Sequence, residues 1–137
     1  MKFPQTVAGK ITKNIKMIAE EGCLAFTYMW CCGVEPENAE AMELVSDAID
    51  EGKITAKDGV LAEPFITWLT GRKVTVTKKT ITTIKDIKKR TPVFYSIDGK
   101  TGHWVGVENG KIIFNSLISS KNVAKGKPIS ARIITLV

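Results

Sequence analysis

The chain has 137 residues, enough for one domain with a single core and too few for two. Hydrophobic residues make up 44% and charged residues 25%, which excludes wholesale disorder. Lysine and arginine exceed aspartate and glutamate by 20 to 14, a net charge of +6. That basicity suits an anionic partner such as nucleic acid or cell wall, but speaks chiefly to solubility. No apolar run approaches the roughly 18 residues of a membrane span, so no membrane partner is expected. Met1 to Thr6 carries a charge with no apolar stretch behind it, so no signal peptide is read there. Three cysteines, an odd number, point to free thiols rather than a disulfide framework. The expectation is a single domain, residues 1–137, in the cytoplasm.

In chain order, Thr6 to Glu21 spaces Ile11, Ile15 and Ile18 as one stripe of an amphipathic helix, and Gly22 reads as its break. Cys23 to Cys32 is apolar all round, which predicts a second, buried helix ending at Gly33. Pro36 stands at a first helical position, with Met42, Val45 and Ile49 as the buried stripe and Gly52 as the stop. A short helix follows from Glu63 to Thr70, closed by Gly71. From Lys73 the period changes to two, and Lys73 to Thr77 reads as a half-buried strand. Ile81 to Arg90, with Ile84 and Ile87 among lysines, favours a short surface helix. Pro92 to Ile97, Trp104 to Val107, Lys111 to Asn115 and Ile129 to Val137 are strand-like, separated by turn signals such as Asp98-Gly99 and Asn109-Gly110. Helices followed by consecutive short strands predict an α+β domain with a mainly antiparallel sheet.

His103 is the only histidine, and so the only imidazole for acid–base work near neutral pH. It opens a hairpin that runs through Asn109-Gly110 to Asn115-Ser116. Of the three thiols, Cys23 is the candidate nucleophile. After a break at Gly22 it would stand at a helix N-terminus, where unpaired N–H groups favour a thiolate and can hold an oxyanion. Cys31 and Cys32 fall near the far end of that helix and read as small core residues. Glu20 and Glu21 would raise the Cys23 thiol unless they point elsewhere. A third group would accept the second imidazole N–H, and the hairpin register decides which. A two-residue turn at Asn109-Gly110 pairs His103 with Ser116, whereas a three-residue loop pairs it with Asn115. An amide carbonyl fixes the ring better than a rotating hydroxyl, which favours Asn115.

A cysteine opening a buried helix early in the chain, then a late histidine leading a hairpin that ends in asparagine, resembles the papain-like cysteine peptidase superfamily. Ile113-Phe114-Asn115-Ser116 resembles the Asn-Ser ending of the papain hairpin. His103-Trp104-Val105-Gly106-Val107 followed by Asn109-Gly110-Lys111 is similar to NlpC-type peptidoglycan hydrolases and to bacteriocin leader peptidases. In layout the chain also resembles a small domain seen in prophages and spirochaetes, on Gly22-Cys23 and Asn115-Ser116. The resemblance implies a papain-like fold and acyl transfer on a peptide or peptidoglycan amide. Cys23 would be the nucleophile, His103 the base and Asn115 its orienting group, with Cys23 N–H and a side-chain amide such as Gln5 or Asn14 around the oxyanion. Trp104 would shield the His103–Asn115 bond from water, or serve simply as a core aromatic. Papain relatives carry a glutamine shortly before the nucleophile. Here the nearest preceding one, Gln5, lies 18 positions upstream (23 − 5). That departure underlies a second reading, in which the same fold has lost turnover and serves as a binding or phage-associated accessory module.

The thiols and His103 include no Cys-x-x-Cys pair, so no structural zinc or other cofactor is expected. The basic runs at Lys78-Lys79 and Lys85 to Arg90 lack interleaved aromatics, which reads as a solvated basic face rather than a nucleic-acid surface.

Overall fold

In the computed structural model, residues 5–116 and 121–137 are described, with side chains of the first helix from residue 14 onward. That helix, α1 (Gln5–Cys31), is one unbroken run of 27 residues. The expected break at Gly22 is absent. Glycine in a helix interior costs only about 1 kcal/mol relative to alanine, which packing can override. Here Phe26 and Ile18 close over Gly22, so that an added Cβ would lie 3.2 Å and 3.4 Å from them. Gly22 is thus a packing residue.

The expected isoleucine stripe is also corrected. Ile18 is buried, Ile15 is 52% exposed, and the side chain of Ile11 lies outside the described residues. Asn14 takes the inner position instead, donating from Nδ2 to the Ser46 hydroxyl (2.8 Å), the Ser46 carbonyl (3.2 Å) and Asp50 Oδ1 (3.2 Å). Those partners sit on α2 (Asn38–Asp50), so the two helices meet through a polar contact here and through Met42 and Val45 elsewhere. Pro36 lies outside α2, whose N-cap is Glu37. A small hairpin, β1 (Ile54–Thr55) with β2 (Gly59–Val60), precedes α3 (Ala62–Thr70). The helix ends at Gly71, whose φ of 73° is left-handed.

The second half forms an antiparallel sheet in the order β3-β7-β4-β5-β6. Its strands are β3 (Val74–Thr80), β4 (Thr91–Ser96), β5 (Gly102–Glu108), β6 (Lys111–Phe114) and β7 (Lys127–Leu136). A short helix, α4 (Lys121–Lys125), precedes β7. The architecture is therefore α+β, with helices first and an antiparallel sheet after them.

Strand alternation gives the sheet two different faces. Trp30 of α1 stacks on Phe114 and lies where a Gly106 side chain would be. Trp104 and Phe94, whose rings meet at 5.1 Å, belong to that face too. Val93, Tyr95, Val105, Val107 and Ala131 form the core of the other face, covered by Ile81, Ile84, Ile87 and Val123. The segment 81–90, expected as a surface helix, is an irregular run of turns and bends. Its isoleucines recur at intervals of three but serve as three separate plugs on the sheet.

Arg90 ties the two layers together. Its Nη1 donates to the Trp30 carbonyl in the last turn of α1 (2.7 Å) and pairs with Glu35 (3.3 Å). Its Nε lies 3.7 Å from Glu108, and its plane covers the Trp30 ring at 4.4 Å. Arg90→Ala is expected to lower stability by about 1–3 kcal/mol, since it removes a charged hydrogen bond and a cation–π contact together. Urea denaturation reads this directly, and an unchanged midpoint would assign the clasp no stabilising role.

Among the described residues, no helix is long and apolar enough to cross a membrane.

Candidate active site

The hairpin that carries His103 closes on Asn109 (φ 53°) and Gly110 (φ 73°), two left-handed residues in a two-residue turn. Glu108 pairs with Lys111, which alone would set His103 opposite Ser116. The register then shifts by one, from Val107↔Ile112 to Gly106↔Phe114, so Ile113 is an extra residue in β6. Because side chains alternate, that single insertion reverses the face of everything beyond it. Continued one step, the register brings Asn115 opposite Val105, on the face of His103 and diagonal to it.

The outcome is a hydrogen bond between His103 Nε2 and Asn115 Oδ1 at 2.7 Å. The imidazole is 4% exposed, beside its cross-strand partner Tyr95. An amide oxygen only accepts, so Nε2 is the donor in this bond and Nδ1 is the ring nitrogen left to act as a base. Expectation and structure agree on Asn115, but a bulge rather than a three-residue loop delivers it.

Cys23 arrives differently from expectation. It lies in the interior of α1, where each backbone N–H is already taken by the carbonyl four residues back. The proposed helix-terminal oxyanion donor at Cys23 N–H is therefore not free. Burial raises the thiol, and the Glu21 carboxylate raises it further. Backbone N–H groups act in the opposite sense, foremost that of Trp104, then those of Leu24 and Cys23 itself. The Trp104 amide thus faces the Cys23 sulfur from β5, and Trp104 is the residue next to His103.

Thiol and imidazole therefore meet the same short stretch of β5. No hydrogen bond joins them among the described residues, where the bond of the imidazole is to Asn115. The strand pleat turns His103 with Val105 and Val107, whereas the body of α1 lies on the Trp104 and Gly106 side. Cys31 and Cys32 are half-buried, Cys32 packing against the helical core, and burial raises both thiols, that of Cys31 strongly.

Asn14 is committed to Ser46 and Asp50 and is not an oxyanion donor for Cys23. The side chain of Gln5 lies outside the described residues. The Trp104 N–H escaped the sequence because every residue has such a group, and only strand placement aims one. Arg132 was also missed; its guanidinium covers the Trp104 ring at 4.8 Å. Among the described residues, no three His, Cys, Asp or Glu side chains gather closely enough to hold a metal ion.

No protein-family profile, curated protein sequence or solved structure matches the chain.

Proposed function

We propose that the chain is a cysteine hydrolase of papain-like type, a peptidase or amidase acting on a peptide or peptidoglycan amide through a thioester on Cys23. The observation that carries this reading is the His103 Nε2–Asn115 Oδ1 bond at 2.7 Å. It leaves Nδ1 as the basic nitrogen, and in this reading substrate binding brings that nitrogen to the thiol, which is held at the next residue's amide.

Because burial keeps Cys23 protonated at rest, His103 acts as general base during attack rather than as half of a preformed ion pair. Catalytic hydrogen bonds in ligand-free sites are often long and tighten when substrate binds. Nδ1 takes the thiol proton as sulfur bonds to the amide carbon. The imidazolium then protonates the departing amine as the carbon–nitrogen bond breaks. Water, deprotonated by His103, hydrolyses the thioester and restores the thiol. Asn115 holds the ring throughout, and the Trp104 N–H stabilises the negative charge that develops at sulfur.

A second reading has its own support. With Cys23 in mid-helix and its thiol raised, the same architecture fits a binding or phage-associated accessory module without turnover.

Iodoacetamide labelling separates the two. For the hydrolase, His103→Ala slows alkylation of Cys23 while leaving Cys32 unchanged. The Cys23 rate in wild type then climbs with pH through 9 and beyond, as a raised thiol requires. Equal labelling of Cys23 and Cys32, indifferent to His103→Ala, supports the accessory module.

A further inference from the structure

We propose that Arg132 is the specificity residue of this site, and that the substrate bears a free carboxylate beside the amide to be cleaved. The inference rests on the hydrolase reading and adds the chemical class of its substrate. Arg132 projects from β7 onto the Trp104 ring, with its guanidinium carbon 4.8 Å from the ring centroid. Stacking uses the face of a guanidinium and leaves its N–H donors free in the plane. Nη1 is buried and has no hydrogen-bond partner among the described residues, although the side chain as a whole is only half-buried.

Arg90 makes the contrast plain. It also stacks on a tryptophan, yet it bonds the Trp30 carbonyl and two carboxylates, Glu35 and Glu108. Arg132 has no such partner among the described residues. A partly enclosed cation without a counter-charge is costly, and the ion best matched to its fork is a carboxylate. Trp104 links this cation to the thiol, since its ring carries Arg132 and its backbone N–H faces the Cys23 sulfur. An anion docked on Arg132 is therefore held one residue's reach from the nucleophile, where a neighbouring amide can be attacked.

Iodoacetate and iodoacetamide carry the same leaving group and differ in charge, so their rate ratio at Cys23 reads local carboxylate recognition. With Cys32 in the same molecule as the reference, the iodoacetate-to-iodoacetamide ratio at Cys23 is expected to be about tenfold higher. Arg132→Gln should bring that ratio down to the Cys32 value, and Arg132→Lys should restore only part of it. A ratio unchanged by Arg132→Gln overturns the proposal.

On the unaltered protein, N-acetylglycine should protect Cys23 from iodoacetamide where N-acetylglycinamide does not. Equal protection, or none, overturns it as well. Failure of the hydrolase reading appears elsewhere, as His103→Ala leaving Cys23 labelling unchanged, while the ratio still reports on Arg132.

Discussion

Replacing His103 by alanine is expected to lower esterase turnover of p-nitrophenyl acetate by a factor of about 10²–10⁴, the usual contribution of a positioned acid–base group. The cause is specific. Burial holds the Cys23 thiol in its protonated form, so attack depends on a base that takes the proton, and in the proposed mechanism that base is His103. Asn115→Ala should fall between wild type and His103→Ala. It keeps the base but frees Nε2, so the tautomer with its lone pair on Nδ1 is no longer enforced. Asn115→Asp retains an acceptor and should recover most of the lost rate. Stopped-flow measurement of all three variants checks the order. Equal rates in Asn115→Ala and wild type would remove the orienting role of Asn115.

Gly106→Val is expected to cause a large loss of stability. A Cβ on Gly106 falls on the six-membered ring of Trp30 and lies 3.0 Å from Phe114 Cβ. Both neighbours are fixed, since Trp30 is 5% exposed, stacks on Phe114 and is covered by Arg90. Overpacking at such a contact costs about 1–3 kcal/mol, and valine adds two further methyl groups at the clash. Gly106→Ala should show the smaller effect of the same kind. In a Trp30→Ala background the ring is gone, so adding Gly106→Ala should cost little. That coupling, measured as a double-mutant cycle in urea, separates a clash from a general loss of strand propensity. Additive costs would mean that Trp30 is not what excludes a side chain at Gly106.

Legibility in the sequence followed how locally each feature is determined. The stripe of Met42, Val45 and Ile49 and the left-handed Gly71 made α2 and α3 readable from neighbouring residues alone. The alternation of Val74 and Val76, and the turn at Asn109-Gly110, did the same for β3 and the β5–β6 hairpin. Gly22 was misread because its meaning lies in Ile18 and Phe26 closing over it, and local propensity alone argues for a break. Ile84 and Ile87 misled in a similar way, since a spacing of three fits a helix face as well as successive plugs on a sheet.

The site divides along the same line. His103 stood out by being the sole imidazole, and Asn115 by its place at the end of the hairpin. Their alignment depends on one extra residue at Ile113, which nothing in the local sequence marks. Cys23 was named for a helix start it does not occupy; what brings it to β5 is tertiary packing that leaves the Trp104 amide facing its sulfur.

The pairing of Cys23 with His103 is tested most directly by locating the acyl group after brief exposure to p-nitrophenyl acetate and acid quenching, using peptide mass spectrometry. The acyl group should be found on Cys23 in wild type, be discharged over time, and be nearly absent from Cys23 in His103→Ala. Acylation spread evenly over Cys23, Cys31 and Cys32, and identical in the two proteins, would contradict the account.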